Sequence, residues 1–107
     1  MTKKRLCVLQ VTPSQPNEDH VRYFKNNPDC DFYFVTHDKE NPDALKYCPN
    51  TTWAETRNIL IEMVDKKYDY YALIDYDYIL RPQRDLPVLE QILEDLTMNP
   101  AVLTYYP

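Results

Sequence analysis

Four short apolar runs constrain the fold more than any other feature: LCVLQV at residues 6–11, FYFVT at 32–36, YYALI at 70–74 and AVLTYY at 101–106. Runs of this length read as strands, the first buried on both faces, the second rich in aromatic and β-branched residues and the third also buried. The segments between them carry helix signals. Asn17 stands as a cap before Glu18 and Asp19, with Val21 and Phe24 on one face and a stop near Asn26-Asn27-Pro28. Thr52-Trp53-Ala54-Glu55 has the capping-box pattern and predicts a helix to about Lys66 with Trp53, Leu60 and Val64 as its apolar stripe. Asp85 caps a further expected helix with Leu89, Ile92, Leu93 and Leu96 inward, broken at Asn99-Pro100. Residues 39–50, with two prolines, read as a loop with one helical turn around residues 43–47.

Strands alternating with helices through short connections imply right-handed crossovers. The expected fold class is therefore α/β, an open and mostly parallel sheet with helices on both faces. At 107 residues a single domain over 1–107 is expected. The sequence stops right after the last apolar run, at Tyr105-Tyr106-Pro107, which leaves a βα unit unfinished and suggests a frame truncated after the fourth strand. An incomplete sheet edge there makes a homodimer a further expectation.

Composition removes several functions. With 12 basic and 17 acidic residues the net charge is -5, which disfavours a surface that tracks the phosphates of DNA or RNA, so no nucleic-acid partner is expected. No apolar stretch approaches the roughly 20 residues of a membrane span, and no signal-peptide pattern follows Lys3-Lys4-Arg5, so a cytoplasmic protein is expected. Cys7, Cys30 and Cys48 are odd in number and widely spaced, which suggests reduced, buried thiols rather than a disulfide framework or zinc site. The chain has no glycine, where average usage predicts about seven. Glycine-built phosphate loops of the P-loop and dinucleotide type are thereby excluded, because they need backbone positions only glycine tolerates. Any phosphate must be met by a metal or by side chains.

In open α/β sheets ligands bind outside the carboxyl ends of the strands. Three groups gather at that edge: the loop from Thr12 to Gln15, His37-Asp38, and Asp75-Tyr76-Asp77. The Thr52 helix opens at the same edge, and Arg57 falls inside its apolar stripe, where a cation needs a reason: a ligand contact, or an ion pair with Asp38 or Asp75. Two aspartates one residue apart repel one another unless a cation intervenes, and hard oxygen ligands suit Mn²⁺ or Mg²⁺ shared with substrate phosphates. Standing alone, such a pair is better explained as solvated turn residues. The apolar run ahead of it and its place at the binding edge reverse that preference. Tyr76 and Tyr78 alternate with the aspartates, so that one can stack on a ring while the other packs.

The ordered set of Thr56-Arg57-Asn58, an amphipathic helix, YDYYALIDYDYIL at residues 68–80 and LEDLTMNPAVLTYY at 93–106 resembles the GT-A fold of family 2 glycosyltransferases. The resemblance spans nearly the whole chain. It implies a nucleotide-diphosphate sugar donor, UDP-sugar favoured, and a carbohydrate or glycoconjugate acceptor. Site roles follow from the same resemblance. Asp38 matches the aspartate on the uracil, Arg57 a basic residue near the base, and Thr12 a position touching the nucleoside. Asp75, with Tyr76 beside it, matches the first acidic residue, on the ribose side, and Asp77 the metal ligand that bridges to the diphosphate. Family members continue well past Tyr106, and the acceptor site and catalytic base belong to that continuation, so no residue here is nominated as the base. A non-catalytic nucleotide-binding or interaction module derived from such a domain is the alternative reading.

Overall fold

The computed structural model describes residues 5–25, 27–64, 67–80 and 87–98. Along the chain these form β1 (Leu6–Thr12), α1 (Glu18–Phe24), β2 (Cys30–Thr36), α2 (Trp53–Met63), β3 (Tyr70–Leu73) and α3 (Val88–Met98). The expected strand over residues 101–106 and the Asp85 cap lie outside the described residues. The chain divides into two compact units, Met1–Asp77 and Tyr78–Pro107.

In the first unit the three strands are parallel in the order β2-β1-β3. Seven register pairs join β1 to β2, from Leu6 opposite Cys30 to Thr12 opposite Thr36, and four join it to β3, from Leu6 opposite Tyr70 to Leu9 opposite Leu73. The central strand is buried at every position, as its apolar sequence predicts. Alternate residues point to opposite faces. Cys7, Leu9 and Val11 join Val35, Leu60, Val64 and Tyr68 in one hydrophobic cluster under α2. On the other face Gln10 meets His20 of α1, so the two helices cover opposite sides of the sheet. Burying each aliphatic side chain of the cluster contributes about 2 kcal/mol. All three cysteines are buried.

Local chemistry starts both helices. The Asn17 side chain accepts from the Asp19 and His20 amides, at 2.9 and 3.2 Å, and Glu18 and Asp19 sit in the first turn where the helix dipole favours them. At α2 the capping box is complete, with the Glu55 amide donating to Thr52 Oγ1 at 3.1 Å and the Thr52 amide to the Glu55 carboxylate at 3.3 Å. The second helix ends at Met63 rather than near Lys66, because Val64 turns to an extended conformation while staying in the core cluster.

Three expectations are corrected. The inward stripe of α2 holds Thr56 and Leu60, both buried, whereas Trp53 is 53% exposed. Trp53 occupies the opening turn, and its ring is taken by Arg57 instead of by the core. No helical turn forms over residues 43–47. The Asn41 side chain accepts from the Asp43 amide in a tight turn, and the chain then runs extended along the outer edge of β2, with Leu45 and Cys48 amides donating to the Phe34 and Thr36 carbonyls. Those bonds satisfy an otherwise open sheet edge, which a helical turn would leave bare. Finally, β3 is not buried on both faces: Tyr71 is 40% and Leu73 45% exposed. Their register places them beside Cys7 and Leu9 on the α2 face, yet α2 packs chiefly over β1 and β2.

In the second unit α3 buries Val88, Leu89, Gln91, Ile92 and Leu93 and half-buries Leu96. Of the expected inward set, Leu89, Ile92 and Leu93 are buried and Leu96 is half-buried. No described helix is long and apolar enough to cross a membrane.

Candidate functional site at the β1/β3 switch point

The chain leaves β1 for β2 on one side and returns past it to β3 on the other. Such a reversal opens a crevice outside the carboxyl ends of the two strands that part company, here β1 and β3. At that edge lie the loop from Thr12 to Asn17 after β1 and residues Ile74 to Asp77 after β3.

Asp75, Tyr76 and Asp77 follow β3 directly, and all three are exposed. Their turn is held by its backbone. The Ile74 amide donates to Leu9 O at 3.0 Å, Gln10 Nε2 donates to Ile74 O at 3.2 Å, and Asn17 Nδ2 donates to Tyr76 O at 2.6 Å. The carbonyls are thus tied down while both carboxylates face solvent. Among the described residues no group of three or more His, Cys, Asp or Glu side chains gathers at metal-binding range. A pair of exposed carboxylates fits the donor set of Mg²⁺ or Mn²⁺, which complete their shells with water and substrate phosphate, and does not fit an all-protein cage.

Thr12 is fully buried, and its hydroxyl donates to the Gln15 carbonyl, shaping the loop after β1. The neighbouring loop is bound to it: the His37 amide donates to Thr12 O at 3.2 Å, and the Asp38 and Lys39 amides donate to Pro13 O at 2.9 and 3.0 Å. Asn41 Nδ2 reaches Ser14 O at 2.9 Å, and the Tyr47 hydroxyl reaches Asp38 O at 2.9 Å. Asp38 therefore has a fixed backbone and an exposed side chain. It follows the end of β2, on the far side of β1 from Asp75.

The first turn of α2 comes to the same edge, since the Cys48 amide donates to Thr36 O at 2.7 Å and Thr51 Oγ1 donates to Cys48 O at 3.3 Å. Arg57 is half-buried, with its guanidinium carbon 4.6 Å from the Trp53 ring centroid. Stacking on the indole accounts for a cation within the apolar stripe. Among the described residues Arg57 pairs with neither Asp38 nor Asp75. Its Nε, like Thr36 Oγ1, is buried without a hydrogen-bond partner among the described residues. Unsatisfied buried polar atoms are scarce in folded proteins and each calls for an explanation.

Gln10 and His20, both 1% exposed, also reach this edge and were not among the residues expected there. The signal was a glutamine inside an otherwise apolar strand, as anomalous as a cation in an apolar stripe. No protein-family model, curated protein or solved structure matches this chain.

Proposed function

We propose that the chain is the donor-binding part of a glycosyltransferase of the GT-A type, which holds a nucleotide-diphosphate sugar, UDP-sugar favoured, through Mn²⁺ or Mg²⁺. The observation that carries this reading is the Asp75-Tyr76-Asp77 turn, with two exposed carboxylates on a tethered backbone, beside the β1/β3 switch point. A chain without glycine cannot build a backbone phosphate cradle of the P-loop kind, so charge on the diphosphate falls to a cation or to side chains. A bound divalent cation would neutralise the diphosphate and stabilise it as a leaving group.

In this reading Asp77 is the principal metal ligand and Asp75 lies toward the ribose, with Tyr76 presenting a half-exposed ring. Asp38 meets the base from the end of β2. Arg57, stacked on Trp53 with an open donor at Nε, lies near the base, and Thr12 shapes the nucleoside loop rather than contacting it through its hydroxyl. The acceptor is a carbohydrate or glycoconjugate hydroxyl.

Calorimetric titration of UDP, GDP and ADP with and without MnCl₂ tests the proposal. Binding of UDP that requires Mn²⁺ and is lost in Asp77→Ala is the expected result. Metal-independent binding, or an unchanged Asp77→Ala variant, refutes the metal bridge. Transfer or hydrolysis of a UDP-sugar separates an enzyme from a non-catalytic binding module.

A further inference from the structure

The Asp75-Tyr76-Asp77 turn is braced by a polar network that runs from the buried Gln10–His20 pair out to the surface bond between Asn17 and Tyr76. Gln10 lies in the middle of the central strand, where an apolar residue would serve packing as well. Both hydrogens of its amide are committed, one to His20 Nδ1 at 2.8 Å and one to Ile74 O at 3.2 Å, while its Oε1 accepts from the Asn17 amide at 3.0 Å. For Nδ1 to accept, the imidazole must carry its proton on Nε2. Asn17 completes the circuit: its Oδ1 caps α1, and its Nδ2 reaches across 59 positions of sequence to the Tyr76 carbonyl. Burying Gln10 and His20 is costly unless their bonds are made, and the bonds of Gln10 and Asn17 meet the backbone either side of Asp75.

We propose that Gln10, Asn17 and His20 are positioning residues, which hold the turn so that the Asp75 and Asp77 carboxylates present a fixed pair to a metal-bridged diphosphate. This rests on the donor-binding reading above. Two carboxylates repel each other, and a free turn would separate them. Fixing the Ile74 and Tyr76 carbonyls removes that freedom before the ligand arrives, so less ordering is left to be done on binding.

Asn17→Ser isolates the tether. Serine remains a good helix cap and is neutral, but its hydroxyl is too short to reach Tyr76. Three measurements are made on the full chain: thermal unfolding without ligand, amide hydrogen exchange of residues 75–78 and of α1, and UDP binding across a series of MnCl₂ concentrations. Faster exchange confined to the turn, a melting temperature lowered by no more than about 5 °C, and UDP binding weakened about fivefold with more MnCl₂ needed for half-saturation are expected from the loss of one such hydrogen bond. Unchanged UDP and Mn²⁺ dependence in the variant, with the parent chain binding normally, overturns the positioning role alone. Failure of the parent chain to bind UDP with Mn²⁺ overturns the donor reading and this proposal with it.

Discussion

Tyr68 shows how a single polar atom is carried within an apolar cluster. Its ring packs with Cys7, Leu9 and Leu60, and its hydroxyl donates to the Asp31 carboxylate and lies 3.4 Å from the Tyr33 hydroxyl. Burial, and then the bond to Asp31, hold its ionisation well above the ordinary tyrosine range. A hydrogen bond to a charged group contributes about 1.5–3 kcal/mol, so Tyr68→Phe is expected to lose about that much in urea unfolding at neutral pH. The sign with pH follows from linkage. The protonated phenol belongs to the folded state, so its contribution is complete below the unfolded value of about 10 and declines as pH rises beyond it. The gap between parent and Tyr68→Phe should therefore narrow in alkali. A constant gap from pH 7 to 11 would refute the assignment.

Helix starts depend on neighbours three or four residues apart, and those were legible. Asn17 and Thr52 cap as their sequence patterns predict, and the reciprocal Thr52–Glu55 bonds make the second start testable. Thr52→Ala is expected to cost about 1 kcal/mol, read as a lower urea midpoint at unchanged slope. What was not legible depended on distant partners. The partners of Gln10 lie ten and sixty-four residues away, and the exposure of Tyr71 and Leu73 depends on how far α2 extends across the sheet. Trp53 shows the limit of angular reasoning: it shares the stripe of Leu60 in projection, yet at the opening turn of the helix it stands exposed with Arg57 stacked upon it. Likewise Asn41 and the extended segment after it prevail over a local helical tendency by closing the bare edge of β2.

Across the first unit, the alternation of apolar runs and capped helices was enough to foresee a parallel sheet with helices on both faces. The strand order, and with it the switch point that sets Asp75 and Asp77 beside the β1 loop, came only with the pairing register. One feature of that architecture doubles as a clock. The three thiols, all buried, sit on different elements: Cys7 inside the central strand, Cys30 where β2 begins, and Cys48 on the segment that borders β2. A buried thiol meets a reagent only when its surroundings open. Alkylation followed by mass spectrometry should therefore modify Cys48 first, through detachment of the border segment, and Cys7 last, through global unfolding. Equal rates at all three would mean that the unit opens only as a whole. Without any engineered label, the chain reports which of its layers peels away first.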